Sequence, residues 1–128
     1  MVVGGYALAF HGYVRATGDI DLWIRISEEN AEKGWNALRK LGAPLSDLSK
    51  EDLKTPGMVY QMGLPPNRID IINEIEGVEF EIAWQERNSI EFEGLTIPLL
   101  GKNELLANKR AMNRPKDKGD IFWLESNP

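Results

Sequence analysis

Residues 19–26 alternate without a slip: Ile20, Leu22, Ile24 and Ile26 fall on one parity, Asp19, Asp21, Trp23 and Arg25 on the other. Side chains of an extended strand project to opposite faces with a period of two, so this run reads as a β-strand that buries its aliphatic face. The same geometry sets Asp19 and Asp21 side by side on the other face. Aspartate is depleted in strands, and two like charges this close repel unless one is protonated or a cation lies between them. Whatever the rest of the chain folds into, it has to cover the aliphatic face and supply a partner for the acids.

The flanking sequence predicts how. Met1-Val2-Val3 reads as the end of a buried strand, cut short by Gly4-Gly5, with a short helix over 6–11 and a loop from Gly12 to Gly18. With so little chain ahead of Val2, that strand is expected either to be an edge the sheet tolerates uncovered or to be covered by a preceding segment or a partner. Ser27 is a predicted N-cap, and Glu28 and Glu29 suit the positive end of the helix dipole. Ala31, Trp35, Leu38 and Leu41 follow at helical spacing as core positions, until Gly42 and Pro44 stop the helix. Ser49 with Asp52 marks a short helix near 50–54. Residues 58–64 and 68–75 are β-like runs joined by a Pro65-Pro66-Asn67 turn. Further strands are predicted over 78–84, 90–92 and 95–99, with Glu93-Gly94 as a turn. Residues 103–112 have helical composition. Pro115 suits the first position of a last helix whose Ile121, Phe122 and Leu124 face inward. The order describes one α+β domain across residues 1–128, a mixed β-sheet flanked by helices.

Composition narrows the chemistry. The 128 residues include one histidine and no cysteine, so disulfides, Cys-ligated metals and thiol nucleophiles are excluded, and any histidine chemistry would rest on His11. A helix-end histidine is more often structural. No stretch approaches the ~20 apolar residues of a membrane helix, which points to a cytoplasmic protein with no membrane partner. The net charge of −5 argues against binding nucleic acid over the whole surface. Charge is uneven, however: Lys102, Lys109, Arg110, Arg114, Lys116 and Lys118 crowd one segment, while Glu74, Glu76, Glu79, Glu81, Glu86, Glu91 and Glu93 crowd another. Two solvated faces would explain this. So would a basic wall beside a carboxylate-bearing sheet, which suits an anionic ligand held through a cation.

Three features carry candidate chemistry. Gly4-Gly5 at a strand-to-helix turn lets the backbone approach a ligand closely, although most glycine pairs are simply tight turns. Asp19 and Asp21 offer hard oxygen ligands of the kind magnesium prefers. Asp70 interrupts the apolar run Arg68-Ile69-Asp70-Ile71-Ile72. If that run lies beside residues 19–26, the three carboxylates form one cluster able to hold two metal ions; otherwise Asp70 pairs with Arg68 or another base. Trp23 is placed either to stack a base or to pack. Arg15 and Thr17 are placed to contact phosphate or to brace their loop. Lys116 and Asp120, four apart, fit a helix-surface ion pair as well as a ligand site.

Gly4-Gly5, thirteen residues, Asp19-Ile20-Asp21 and then a separate strand aspartate resemble the nucleotidyltransferase signature of the DNA polymerase β superfamily. Val3-Gly4-Gly5-Tyr6-Ala7, His11-Gly12, Arg15-Ala16-Thr17-Gly18-Asp19-Ile20-Asp21, Arg68-Ile69-Asp70-Ile71, Asn108-Lys109-Arg110-Ala111, Arg114-Pro115-Lys116-Asp117 and Asp120 resemble the small AbiEii-type toxin nucleotidyltransferases. The likeness spans nearly the whole chain. It implies a nucleotidyltransferase fold and a reaction that moves a nucleoside monophosphate from a nucleoside triphosphate to an acceptor hydroxyl. The acceptor would be an RNA end such as that of a tRNA, a protein or a small molecule. It further implies that Asp19, Asp21 and Asp70 are catalytic and hold two Mg²⁺ ions, with Mn²⁺ as a substitute, and that Asp70 helps activate the attacking hydroxyl. Gly4, Gly5, Arg15, Thr17, Lys109, Lys116 and Asp117 would contact nucleotide. An antitoxin partner and a homodimer are compatible with the resemblance. The competing expectation is a non-catalytic nucleotide-binding or protein-interaction module of a toxin–antitoxin pair.

Overall fold

The computed structural model describes residues 1–15 and 17–128; Ala16, part of the motif quoted above, lies outside them. The protein is α+β. Strands β1 (Val2–Val3), β2 (Asp19–Trp23), β3 (Val59–Met62), β4 (Arg68–Ile72), β5 (Asn88–Phe92) and β6 (Leu95–Leu99) form one mixed sheet in the order β3-β4-β2-β1-β6-β5. Among the described residues five α-helices accompany them: α1 (Gly4–Phe10), α2 (Glu28–Leu41), α3 (Phe80–Gln85), α4 (Lys102–Met112) and α5 (Lys118–Ser126), the last two after β6. None of the described helices is long and apolar enough to cross a membrane.

β1 is not an edge. It pairs antiparallel with β2 through Val2–Leu22 and Val3–Asp21, and parallel with β6 through Val2–Leu99. Two residues suffice because both neighbours hydrogen-bond to them, and both valines are buried.

Local signals explain most elements. Ser27 caps α2 by accepting a hydrogen bond from the Asn30 amide at 3.1 Å, a contact typically worth ~1 kcal/mol. Gly42 ends that helix in the left-handed region, φ 83°, where only glycine is free of strain. Ser49 and Asp52 exchange reciprocal side-chain-to-amide hydrogen bonds at 2.8 and 3.2 Å, and the turn they fix is a single 3-10 turn, Asp52–Lys54. Glu93 and Gly94, both at positive φ, join β5 to β6.

Two apolar layers sandwich the sheet. On one side α2 presents Leu38 to Met62 and Ile71. On the other, Ala7 and Leu8 of α1, Ala83 of α3, Leu105 of α4 and Leu124 of α5 pack with Val2, Val3, Trp23 and Leu99. On β2 only Trp23 is fully buried, on the same face as Asp19 and Asp21, while Ile20 and Leu22 on the aliphatic face are half-buried. The strand stops at Trp23, and Ile26 is exposed.

Three further expectations are corrected. Residues 78–84 do not form a strand; apart from an isolated bridge between Ile75 and Val78, they lead into α3. Winding brings Phe80, Ala83 and Trp84 together at i, i+3 and i+4, and leaves Ile82, which alternation would bury, exposed. Leu41 lies exposed at the last turn of α2, and Trp35 is half-buried, so of the four positions at helical spacing only Ala31 and Leu38 are fully inside. Phe122 is 73% exposed: of Ile121, Phe122 and Leu124, only Leu124 is fully buried, and the other buried residue of α5 is Asp120. Pro115 opens a 3-10 turn, Pro115–Asp117, that feeds α5.

Candidate functional site

β2 and β4 run parallel and in register, so Asp21 sits directly beside Asp70 and Asp19 beside Arg68. The even spacing of residues 19 and 21 then places Asp19, Asp21 and Asp70 on one face. Each offers a carboxylate oxygen within 4.8 Å of the others, a spacing that could hold a metal ion. Asp70 is 6% exposed, and its Oδ1 has no hydrogen-bond partner. A buried carboxylate oxygen without a donor is costly, and a cation at the cluster would satisfy it.

The electrostatics of the three acids differ. Burial raises the Asp21 pKa, and the charges of Asp19 and Asp70 add to the effect, to about 7. Burial also works against the charge of Asp19, but hydrogen bonds with Asp70, Asp21 and Arg68 outweigh it and hold Asp19 below the usual carboxylate range. Asp70 is pushed up by burial and by Asp19, against the attraction of Arg68. Three carboxylates thus share fewer than three charges near neutrality, as expected where like charges crowd a partly dry site.

The glycine pair explains how the chain comes so close. Gly4 has φ +65°, and a Cβ there would overlap Asp21 Oδ2; a Cβ on Gly5 would lie 3.1 Å from Thr17 Oγ1. Glycine at position 4 is thus required twice, by its backbone conformation and by the carboxylate pressed against it.

The cluster lies in a cleft of about 640 Å³. Gly4, Gly5, Arg15, Thr17, Asp19, Asp21, Asp70, Lys109, Lys116 and Asp117, the ten residues expected to be catalytic or to contact nucleotide, all line it, together with Arg68, Glu74, Glu76, Asn108 and Arg114, whereas His11, Trp23 and Asp120 do not. The far wall is built on α4 and the segment that follows. Lys109 is 4% exposed, and its Nζ lies 3.2 Å from Asp120 and 3.4 Å from Asp117. Asp117 also accepts hydrogen bonds from Arg114, through its amide at 3.1 Å, Nε at 2.8 Å and Nη2 at 2.9 Å. Burial opposes its charge, yet these donors and Lys109 bring its pKa down to about 2.

Arg15 pairs with Asp120 at 2.7 Å and Thr17 Oγ1 donates to the Asp19 carbonyl at 3.2 Å, so both brace the loop ahead of β2 while lining the cleft. Asp120 is shared by Arg15 and Lys109, not by Lys116; exposed Lys116 makes no ion pair among the described residues. Trp23 does not line this cleft. It is 2% exposed and packs edge-on against Phe80 at 5.0 Å, so it is a core residue. His11 Nε2 lies 2.7 Å from the Leu100 carbonyl, a tie between α1 and the end of β6.

Sequence reasoning gave Arg68 no role beyond a motif position and an alternative partner for Asp70, whereas it bridges Asp70 and Asp19 at 3.1 and 3.2 Å. Its signal was the two-residue spacing from Asp70, the same spacing that pairs Asp19 with Asp21. Arg114 was noted only as a motif residue; its three-residue offset from Asp117 is the helical spacing for an ion pair. Glu74 and Glu76 carried no signal beyond the acidic run.

The fold and the cleft define a class by chemistry: an α+β domain with three carboxylates able to hold a metal ion, faced by a basic wall. No protein-family model matches this chain, and no curated protein matches it.

Proposed function

We propose that the protein is a metal-dependent nucleotidyltransferase, transferring a nucleoside monophosphate from a nucleoside triphosphate to an acceptor hydroxyl and releasing pyrophosphate. The observation that carries this reading is the pairing of Asp21 with Asp70 across parallel β2 and β4, with Asp19 on the same face, opposite a wall bearing Arg15, Lys109, Arg114 and Lys116. An acidic floor that accepts cations and a basic wall that accepts anions are what a phosphate–metal ligand needs.

Asp19 and Asp21 would hold both Mg²⁺ ions, and Asp70 would complete the second site. When bound, such ions stabilise charge developing on the phosphoryl oxygens and lower the pKa of an attacking hydroxyl. The acceptor hydroxyl would give up its proton with the help of Asp70 as its oxygen bonds to the α-phosphorus, and the bond from that phosphorus to the oxygen bridging the β-phosphate would break, its electron pair leaving with pyrophosphate. Gly4 and Gly5 leave the cleft floor beside Asp21 without side chains, so the ligand can approach the backbone. Lys109 has no freedom to search for its target: Asp117 and Asp120 fix its ammonium at the cleft wall. Lys116, exposed and unpaired among the described residues, contributes a mobile charge for the outer phosphates. A toxin component acting on tRNA or on a protein, held in check by an antitoxin in the cytoplasm, fits this chemistry.

The deciding experiment incubates the protein with each labelled nucleoside triphosphate, Mg²⁺ and total cellular RNA or protein. Label should enter one macromolecule class with stoichiometric pyrophosphate release. Asp19→Ala should lower transfer by on the order of 10³-fold or more while leaving the circular dichroism spectrum unchanged. Transfer by Asp19→Ala at the wild-type rate would overturn the assignment.

A further inference from the structure

Arg68 stands one same-face step from Asp70 on β4 and directly beside Asp19 across the sheet. Its Nη2 is 3.2 Å from Asp19 Oδ2 and 3.3 Å from Asp70 Oδ2, and its Nε is 3.1 Å from Asp70 Oδ1. The last approach is an ion pair without the alignment of a hydrogen bond, so Nε and Oδ1 are both buried with no hydrogen-bond partner. A guanidinium carries its five donors in one plane; spread over carboxylates from two strands, this one reaches both through Nη2 but leaves Nε without a hydrogen bond. Asp21, the third acid, makes no ion pair among the described residues.

Resting on the metal-site reading above, we propose that Arg68 is a resident counter-cation that holds Asp19 and Asp70 in the metal-free protein and is displaced from Asp19 when a divalent ion takes that oxygen. Two observations argue for displacement rather than permanent pairing. The pairing leaves a donor and an acceptor unsatisfied, so it is a poor resting state compared with coordination. The side chain is also 30% exposed and lines the cleft, which gives the guanidinium room to turn toward an anionic ligand. Three ionised carboxylates with one guanidinium carry two net negative charges, matched by a single divalent ion. A second ion would then leave excess positive charge unless it arrived with an anion, to which the released Arg68 is attracted. Metal and anionic ligand should therefore each tighten the binding of the other.

The test measures Mn²⁺ binding to the full chain at pH 8 by loss of the free-ion electron paramagnetic resonance signal. Arg68→Met should bind Mn²⁺ at least about tenfold more tightly than wild type, because a competing charge is gone, and should show a larger Mn²⁺-induced rise in melting temperature. Arg68→Lys, which keeps the charge and loses the fork, should lie nearer wild type. Equal or weaker binding by a folded Arg68→Met protein would overturn the inference and leave the metal site standing. No binding by either protein would overturn both. Wild type alone gives an independent reading: saturation with diamagnetic Mg²⁺ should shift the Arg68 Nε–H resonance, and an unchanged resonance at saturation would sink the displacement.

Discussion

The cleft has two charged walls that are built on opposite plans. On β2 and β4 three carboxylates crowd around one guanidinium, and the Asp21 pKa is driven up to about 7. On the other wall two carboxylates meet three cations, Asp117 with Arg114 and Lys109, Asp120 with Lys109 and Arg15, and the Asp117 pKa is drawn down to about 2. The same residue type is destabilised as an anion in one place and stabilised in the other, although both are partly or fully buried. What differs is the number of donors reaching each oxygen. On the basic wall each of the two carboxylates is met by two cations, and among the described residues Lys116 alone of the four lining cations makes no ion pair. The acidic floor has one guanidinium for three carboxylates, and such a cluster is where a visiting cation has most to offer.

The sharpest way to break this comparison is to remove one acid from each side. Asp117→Ala takes away the carboxylate that Arg114 grips through three groups and leaves buried Lys109 with only Asp120. Removing one partner of a buried pair typically costs about 3–5 kcal/mol, and a loss near 3 kcal/mol is expected in denaturant unfolding, since Asp120 remains. Asp21→Asn should do the reverse: at pH 8 and without metal it removes a repelled anion, raising stability by on the order of 1 kcal/mol after allowance for solvent screening. It should also abolish any stabilisation by Mg²⁺. Comparable losses from both substitutions would erase the distinction between the walls.

A smaller effect is expected at the turn that lets the two walls meet. Gly4→Ala forces a side chain into the left-handed region and into Asp21 Oδ2. The backbone component alone is about 1 kcal/mol, and the displaced carboxylate should weaken Mn²⁺ affinity as well. Gly94→Ala is the control: its φ is +80°, but a Cβ there meets nothing within 4 Å. It should cost similar stability and leave metal affinity unchanged.

Much of this arrangement is legible in the sequence because it follows from local periodicity. The two-residue spacing of Asp19 and Asp21 fixes their common face once 19–23 is a strand, and Ser27 and Gly42 mark the ends of α2 by hydrogen bonding and backbone conformation. Residues 78–84 mislead for the same reason that 19–26 inform: Val78, Phe80, Ile82 and Trp84 alternate like a strand, and only burial of Ala83 between the sheet and its neighbours selects the helix. The placement of β1 between β2 and β6 is a matter of long-range pairing that two valines cannot encode by themselves. Likewise, nothing near Asp120 in sequence points to Arg15, 105 positions away. Strand spacing finds the acidic floor; the basic wall forms only when loop, α4 and α5 are brought together.

The finest discrimination between the walls is their response to pH. For Asp117 the folded pKa of about 2 lies below its ordinary value of 3.8, so its stabilising contribution is complete above pH ~4 and is lost as the pH falls toward 2. For Asp21 the folded pKa of about 7 lies above 3.8. Its anion therefore costs nothing at pH 3, costs progressively more as the pH rises from ~4 to ~7, and reaches its full penalty above that. Metal-free protein should accordingly melt at its highest temperature in mildly acidic buffer and lose a few degrees by pH 8. Divalent cations compete with the proton that Asp21 holds, so Mg²⁺ should raise the melting temperature more at pH 8 than at pH 5.5. In Asp21→Asn that alkaline decline should flatten, while the acid limb governed by Asp117 stays where it was. An alkaline decline that survives Asp21→Asn would mean that the three acids on β2 and β4 are not the group that feels the missing cation.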